Sequence, residues 1–441
     1  MLKSKFSLAF TSVLLISALS LSQASAQEGA PPGGSASASI LVEGCGVYFL
    51  DGTIGETAVD TAFDSAADDV SAICLIDGAS LTLENPTITK TGDTSSADSS
   101  SFYGLNAAVL VGSGSTVSIT GGTVVTDGDG TNGVFATGTG STVVLSDMYI
   151  EAIGDGAHAV MATVEGTMIV IDVEMFTTGA HSGAIATDRG SGTITVTGGE
   201  VTTTGQDSPG IYSTGMITVT GTVINATGAE AAVIEGSNSI VLVDSDLTSS
   251  IADKWGVMLY QSFSGDAEGM NGEFSMTGGS LAYTSETGPL FFVTNATGLI
   301  NLSGVEVTAA SGVLAQASAT ERWGTSGENG GIVILTADAQ DLTGDLVADS
   351  ISTLSLTLQN SSSLTGAINH ENTALAADLT LDESSTWSLT ADSYLSTFSG
   401  TVTSITGNGF NVYYDASLDA NSALDGQTYP LVGGGYLMPL T

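Results

Sequence analysis

Short apolar runs alternate with clusters of Gly, Asp, Asn and Ser along most of the chain. Within the runs, β-branched apolar residues alternate with polar ones, as in residues 116–119, 194–196 and 217–219. This period of two is typical of β-strands that bury one face, and the Gly-rich clusters are typical of turns. No helix-length apolar spacing separates the runs. The pattern therefore predicts an all-β protein.

The runs recur as a repeat of about 25 residues. Each unit holds two or three short strands and no helix, which disfavours leucine-rich, ankyrin and tetratricopeptide repeats. Coils of three stacked parallel strands form a β-helix. We therefore expect a single-domain, right-handed parallel β-helix of about 14 coils. A small residue followed by an apolar one marks each repeat: Ala108-Val109, Gly133-Val134, Ala159-Val160, Gly183-Ala184, Gly210-Ile211, Ala232-Val233, Gly256-Val257, Pro289-Leu290 and Gly312-Val313.

A column of larger apolar residues follows these pairs. Stacked at the roughly 4.8 Å spacing of paired strands, they form a continuous ladder. We expect this ladder to face the core, and an outward apolar stripe is the alternative. The ladder consists of Phe135, Met161, Ile185, Tyr212, Ile234, Met258, Phe291 and Leu314.

Two segments depart from the repeat. Residues 56–74 space their apolar side chains like one face of a helix, with Asp60, Asp64 and Asp68 on another face. This spacing predicts an amphipathic helix that caps the open end of the β-helix. Residues 261–271 lengthen one repeat with polar, Gly-rich sequence, which predicts a surface loop.

The first residues have the features of a secretory signal peptide. Lys3 and Lys5 precede an apolar stretch, and residues 24–26 match the small-x-small pattern of signal peptidase cleavage. No later stretch approaches the roughly 20 apolar residues of a membrane-spanning helix. We therefore expect a secreted or cell-surface protein with no transmembrane segment in the mature chain. The predicted divisions are a signal peptide at 1–26, an N-terminal cap with the first coils at 27–99, the parallel β-helix at 100–400, and C-terminal coils with a cap at 401–441.

Acidic residues dominate the charge of the chain. The sequence contains 47 Asp and Glu residues against six Lys and Arg residues, for a net charge of −41. Nucleic acid is excluded as a partner, because a phosphate backbone needs a basic surface. The excess of carboxylates favours solubility and can recruit divalent cations.

The two cysteines, Cys45 and Cys74, lie near the expected N-terminus of the mature chain. An exported chain meets an oxidising environment, so we expect one disulfide between them that pins the first coil. Closing a loop of this size contributes on the order of 3 to 4 kcal/mol in the chain-entropy model.

Several runs resemble those of known β-helix proteins. Residues 364–395 resemble the end of the passenger β-helix of autotransporter adhesins. Residues 100–395 are similar to a group of uncharacterised secreted microbial β-helix proteins, and the coil architecture resembles that of the pectin-lyase superfamily. The resemblance implies the fold and brings no activity with it. The matching runs are residues 102–106, 188–190, 207–213, 235–239, 260–266 and 322–324.

Catalysis on a polysaccharide is one functional hypothesis, because a β-helix presents a long groove. A lyase combines carboxylates that hold Ca²⁺ with a basic residue that takes a proton. Asp188, Arg189 and Asp207 are the candidates, and Arg189 is equally explained as a charge that balances nearby acids. A glycoside hydrolase needs two carboxylates across a cleft, which Asp266 with Glu268, or Glu230 with Glu235, could supply.

Binding sites without catalysis are the other hypothesis. Asp129 and Asp155 follow the repeat spacing, so we expect them to stack on adjacent coils as candidate Ca²⁺ ligands, with ordinary Asp-Gly turn chemistry as the alternative. Trp323 and Tyr212 are candidates to bind sugars, with packing at a coil corner as the alternative.

The repeated coils favour a rod-shaped protein whose surface makes many equivalent weak contacts with its ligand. We therefore expect an adhesin-like or structural protein that binds extracellular glycans, or cell-surface or matrix proteins, without catalysis. A polysaccharide lyase or glycoside hydrolase is the alternative.

Overall fold

A computed structural model describes residues 41–42 and 44–440, and these residues form an all-β parallel β-helix of about 16 turns. The alternating runs of one coil pair in parallel with the equivalent runs of the next coil, so that successive coils stack into three long sheets. The coils of about 25 residues agree with the predicted repeat and with a single domain. The predicted signal peptide, residues 1–26, lies outside the described residues.

Sheet A contains 12 strands. In spatial order they are β1 (Gly46–Asp51), β4 (Ser71–Ile76), β7 (Val109–Gly112), β10 (Val134–Thr137), β13 (Val160–Thr163), β16 (Ile185–Thr187), β19 (Ile211–Ser213), β22 (Ala232–Glu235), β25 (Val257–Tyr260), β28 (Phe291–Thr294), β31 (Val313–Ala317) and β34 (Asp345–Ala348).

Sheet B contains 14 strands. They are β2 (Glu56–Val59), β5 (Ser80–Glu84), β8 (Thr116–Thr120), β11 (Thr142–Ser146), β14 (Gly166–Ile171), β17 (Gly192–Thr197), β20 (Met216–Thr220), β23 (Ser239–Val243), β26 (Asn271–Thr277), β29 (Thr297–Ser303), β32 (Ile332–Asp338), β35 (Thr353–Gln359), β37 (Ala376–Leu381) and β40 (Thr397–Ser399).

Sheet C contains ten strands, and two sheets of four strands each, D and E, complete the C-terminal coils. Sheet C consists of β3 (Ala62–Ser65), β6 (Thr87–Lys90), β9 (Thr123–Thr126), β12 (Tyr149–Ala152), β15 (Glu174–Thr177), β18 (Glu200–Thr203), β21 (Val223–Ala226), β24 (Asp246–Ser249), β27 (Ser280–Tyr283) and β30 (Glu306–Ala309). Sheet D consists of β33 (Asp341–Thr343), β36 (Ser363–Thr365), β38 (Thr386–Ser388) and β41 (Ile405–Thr406). Sheet E consists of β39 (Ser393–Leu395), β42 (Val412–Tyr414), β44 (Tyr436–Pro439) and the antiparallel β43 (Tyr429–Pro430).

The core fills the space between the three long sheets. Ile194 on β17 pairs with Ile217 on β20, which pairs with Ile240 on β23, and all three are buried. Similar columns from sheets A and C complete one continuous apolar core along the described coils. Each coil therefore buries its apolar side chains against the coils before and after it.

The predicted cap helix at 56–74 is wrong, because the segment forms β2, β3 and the start of β4. Its Asp60 and Asp69 adopt left-handed backbone angles, with φ of 50° and 60°, which a helix interior does not tolerate. The apparent helical spacing arises where short strands are joined by tight turns. The α-helix of the described residues is α1 (Ala97–Tyr103), and two short 3₁₀-helices are Val402–Ser404 and Asp419–Leu424.

The predicted inward ladder mixes two faces of sheet A. Strand register places Phe135, Met161 and Tyr212 in one column, where they pair with Leu110, Ala186 and Val233. This column faces outward and packs outside the main core. Met258 continues the outward column, and the core contains the remaining members: Ile185, Ile234, Phe291 and Leu314. Paired positions of sheet A are 21 to 36 residues apart in sequence, so a repeat marker can slip against the strand register, and a shift of one residue moves a strand side chain to the opposite face.

The predicted disulfide is confirmed. Cys45, just before β1, is bonded to Cys74 on β4, with an S–S distance of 2.02 Å. The bond joins neighbouring strands of sheet A and packs in an apolar cluster on the outward side of that sheet. It therefore ties the first described coil to the second.

Adjacent residues of β17 test the alternation of core and surface. Ile194→Ala is expected to lower the free energy of unfolding by about 2 to 5 kcal/mol, because it leaves a cavity in a closely packed core. Thr195→Ala, at the exposed neighbouring position, is the control and should change it by less than about 0.5 kcal/mol. Denaturant unfolding followed by circular dichroism measures both, and equal effects would contradict the assigned faces.

Candidate functional site

The outward face of sheet A is covered by other parts of the chain. Every residue of β10 and β13 is buried, although side chains on a strand alternate between core and outward faces. Parallel strands buried on both faces need a covering layer. At the end of α1, a Cβ atom on Gly104 would lie 2.6 Å from Leu110 and 2.7 Å from Phe135. The end of α1 therefore rests directly on the outward side chains of the early coils.

Farther along sheet A, aromatic side chains form the covering layer. Trp255 packs against Phe292 with ring centroids 4.2 Å apart, and Tyr260 packs against Trp323 at 4.9 Å. These rings cover the outward residues Val233, Met258 and Phe292. In this part of sheet A, large side chains with polar edges form the covering layer. In the early coils, α1 forms it.

We call the depression between these side chains the aromatic cleft. Its volume is about 170 Å³. Tyr212, Trp255, Tyr260 and Trp323 provide its aromatic walls, and its other lining residues are His181, Asp207, Pro209, Glu230, Val233, Lys254, Met258 and Arg322. The cleft thus combines apolar ring faces with charges of both signs.

Two loops that interrupt the repeat help to build this region. The first loop, residues 261–270, joins β25 to β26, and Gln261 Nε2 donates to the carbonyl oxygens of Ala267 and Gly269 at 3.2 and 2.5 Å. The second loop, residues 318–331, joins β31 to β32, and Asn329 Nδ2 donates to the carbonyl oxygen of Trp323 at 2.7 Å. Each loop is therefore held by an internal side-chain amide. The predicted surface loop at 261–271 packs against the coils.

Glu235 lies between the first loop and the aromatic cleft and accepts hydrogen bonds from side chains of both. The residue is 1% exposed. Its Oε2 accepts hydrogen bonds from the hydroxyls of Tyr212 and Tyr260 at 2.6 and 2.8 Å, and its Oε1 accepts from the hydroxyl of Ser262. Burial, together with the charge of Glu235, raises the pKa of both tyrosines well above the usual value. The phenols therefore remain hydrogen-bond donors to this carboxylate.

Arg189 joins three separate parts of the chain. Its Nη2 and Nε donate to Asp266 Oδ1 of the first loop at 2.8 and 3.2 Å. Its guanidinium lies 3.7 Å from the ring centre of Phe102 on α1. The neighbouring Asp188 accepts from the backbone N–H of Arg189 at 2.7 Å, and burial and the charge of Asp266 raise the pKa of Asp188 well above its usual value. An open cleft of about 570 Å³ borders Arg189 and the first loop.

Lys254, Asp207 and Glu230 form a second charged group inside the aromatic cleft. Lys254 Nζ contacts Asp207 Oδ1, while Gln206 Nε2 donates to Asp207 Oδ2 at 3.2 Å. Burial opposes the ionisation of Asp207, but the Lys254 ammonium outweighs it and holds the pKa of Asp207 below its usual value. Glu230 is buried, and burial raises its pKa.

Basic residues are concentrated on this face. The chain has six Lys and Arg residues, of which Lys3 and Lys5 lie outside the described residues. Lys90 is fully buried and donates to the carbonyl oxygens of Ala67 and Gly92 at 3.0 and 2.8 Å, which is a structural role. The other three, Arg189, Lys254 and Arg322, all line clefts on the outward side of sheet A.

The structure separates the residues proposed for a lyase site. Asp188 and Arg189 lie side by side, whereas Asp207 is paired with Lys254 in the aromatic cleft. The guanidinium of Arg189 is occupied by Asp266 and Phe102. The two candidates for sugar binding, Tyr212 and Trp323, do lie together in the aromatic cleft.

The two aspartates proposed as calcium ligands stack on adjacent coils, where they form a hydrogen-bonded ladder. Asp129 Oδ1 accepts from the backbone N–H of Asp155 at 3.3 Å, and Asp155 Oδ1 accepts from that of Ala180 at 2.7 Å. Asp93 accepts in the same way from Asp129 at 3.0 Å. Within residues 41–42 and 44–440, no group of three or more His, Cys, Asp or Glu side chains is arranged to hold a metal ion. The ladder therefore binds backbone amides of the next coil.

Sequence reasoning missed the participation of Lys254, Tyr260 and Phe102. Lys254 carried a usable signal, because a basic residue is rare in this chain and this one precedes a repeat marker. Phe102 and Tyr260 carried none, since Phe102 lies on α1 and Tyr260 packs against Trp323 of the second loop, and both segments fold back onto the coils.

Comparison with known proteins found no match for this chain among protein-family models, curated proteins or solved structures. The helices of the described part of the chain include none with the length and apolar character needed to cross a membrane. What the site can do is therefore inferred from its residues and geometry alone.

Asp188→Asn is expected to stabilise the protein at neutral pH. Because the folded-state pKa of Asp188 is raised, the stability that its protonated form contributes is fully present below the unfolded pKa of about 3.9 and is lost as the pH rises through the folded pKa. The uncharged amide avoids this loss. The thermal midpoint of the variant should exceed that of the wild type at neutral pH, and the difference should shrink toward about pH 4.

Thermal unfolding of both proteins across this pH range measures the effect. Glu200→Gln, at an exposed position on β18, is the matched control and should follow the wild-type curve. A difference between Asp188→Asn and the wild type that is independent of pH would contradict the assigned role of the Asp188 carboxyl.

Proposed function

We propose that this chain is a secreted, adhesin-like β-helix protein that binds glycans through the aromatic cleft without catalysis. One observation carries the proposal: in a chain with a net charge of −41, three basic side chains and four aromatic side chains meet on one outward face. A scattered set of charge-balancing residues would not produce this concentration. The repeat is broken at this face, where a specific site is expected.

The chemistry of the cleft suits a sugar. A pyranose ring has an apolar face of C–H groups and a rim of hydroxyls. Trp and Tyr offer flat apolar surfaces with a polar edge, which match the face of the ring. Asp207, Glu230 and Lys254 supply acceptors and donors for the hydroxyls.

The size and charge of the aromatic cleft indicate which class of glycan it would bind. Its volume of about 170 Å³ is smaller than the roughly 300–1,000 Å³ of pockets that enclose a drug-sized ligand. We therefore infer contact with one sugar unit or a chain end. The acidic surface repels polyanions, which favours neutral glycans unless Ca²⁺ intervenes.

Trp323→Ala is expected to weaken glycan binding at least tenfold, because an aromatic anchor of an interface contributes about 2 kcal/mol or more. Retention of the full-length mature protein on a panel of neutral and acidic polysaccharides, with and without Ca²⁺, measures the effect. Tyr413→Ala is the control, because Tyr413 stacks on Tyr394 in sheet E, outside the cleft.

Equal retention of the Trp323→Ala variant and the wild type would overturn the assignment of the cleft. New polysaccharide chain ends released by the wild type would replace the binding function with that of a polysaccharide lyase or glycoside hydrolase. The first variant to examine would then be Arg189→Ala.

A further inference from the structure

Three ionisable residues of the aromatic cleft lie on three consecutive coils. Asp207, Glu230 and Lys254 each occupy the turn that leads from sheet C into sheet A, before β19, β22 and β25 respectively. Neighbouring coils are about 4.8 Å apart, so Lys254 and Asp207 are separated by two coil spacings. The Lys254 side chain crosses the intervening coil, and its Nζ contacts Asp207 Oδ1. Glu230 belongs to the coil that is crossed.

A buried acid and apolar side chains lie beside this pair, whose own side chains are each 30% exposed. Glu230 is only 6% exposed, and Trp255, Val233 and Met258 line the same cleft. Burial raises the pKa of Glu230, whose carboxyl lies within the electrostatic influence of both Lys254 and Asp207. The raised pKa favours the protonated form of Glu230, and a protonated carboxylic acid beside an ion pair can pass protons between its two members.

We infer that Lys254 and Asp207 condense into an intramolecular amide, with Glu230 as the acid that transfers the protons. A modification of this kind goes beyond the proposed glycan binding and does not depend on it. The geometry that points to it is an amine in contact with a carboxyl group, with a buried carboxylic acid on the coil between them.

The reaction balances without an oxidant, a reductant or another reactant. Glu230 gives its proton to the Asp207 carboxylate and takes one from the Lys254 ammonium, which leaves a neutral acid and a neutral amine. The Nζ lone pair then attacks Asp207 Cγ, so that a C–N bond forms. Glu230 carries the amine proton to the departing hydroxyl, the C–O bond breaks, and one water leaves. Glu230 ends protonated, as it began.

The other basic side chains of the described residues cannot react in this way. Arg189 and Arg322 carry guanidinium groups, which are not deprotonated in proteins and are no nucleophiles. Lys90 donates to two backbone carbonyls, which do not condense with an amine. Lys254 is therefore the specific position for a cross-link.

The bond would lock three coils together. Asp207 and Lys254 are 47 positions apart in sequence. In a solenoid each coil contacts only its neighbours, so coils can separate locally. A covalent link across the middle coil prevents this beside the aromatic cleft, and salt does not weaken it as it weakens an ion pair.

The intact mass of the denatured wild-type protein tests the inference. We expect a mass lower by one water than that of the disulfide-bonded sequence. Lys254→Arg keeps the positive charge but cannot form the amide, so it should show its full sequence mass and a lower thermal midpoint. Glu230→Gln should also remain at full mass, because the proton transfer is lost.

Tryptic digestion locates the bond. In the wild type, trypsin should fail to cleave after Lys254, so that Asp207 and Lys254 stay in one peptide of residues 190–322, and fragmentation should release no separate fragments from backbone cleavage between residues 207 and 254. A full-mass wild type whose Lys254 is cleaved by trypsin and labelled by an amine reagent would overturn the inference and leave an ion pair. Loss of water that persists in Lys254→Arg would also overturn it, because an Asp-Gly site such as Asp129-Gly130 can lose water by cyclisation.

Discussion

The parallel stacking of one coil on the next is the constraint on which the rest of this structure depends. Backbone hydrogen bonds run from coil to coil, so a residue's nearest neighbours are the equivalent residues about 25 positions earlier and later. The same geometry that aligns Ile194, Ile217 and Ile240 in the core aligns Asp93, Asp129 and Asp155 at a turn. Each carboxylate of the turn accepts an amide of the next coil, which makes an acidic ladder compatible with a stable stack.

Sheet A is the face where this regularity is broken. Its outward side is apolar, and an uncovered sheet face of that kind would promote association with other molecules. Helix α1 covers the early coils, and aromatic side chains with two inserted loops cover the middle ones. Because rings and loops cover less completely than a helix, clefts remain between them. The candidate site is thus a consequence of how an apolar sheet is shielded from water.

The ionisable residues in and around these clefts distinguish them from the rest of the surface. Most acids of the described residues are at least partly exposed, as Asp188 is, whereas Glu230 and Glu235 are buried beneath the covering layer. Burial of Asp188 costs stability at neutral pH, and Glu235 needs two tyrosines and a serine to satisfy its oxygens. Buried or partly buried acids that cost stability, next to three of the four Lys and Arg residues of the described part of the chain, are typical of sites retained for function.

The sequence by itself determined the parallel β-helix, the repeat length and the Cys45–Cys74 pairing, because these follow from local alternation, regular spacing and the scarcity of cysteine. It failed at residues 56–74, where tight turns between short strands imitate helical spacing, and in the column of Phe135, where a slip of one residue exchanges the two faces. Only the tertiary structure decided the site. Arg189 meets Asp266 across 77 positions through an inserted loop, and Lys254 reaches Asp207 across an intervening coil. Such contacts depend on where loops and long side chains fold back, and no spacing along the chain encodes that.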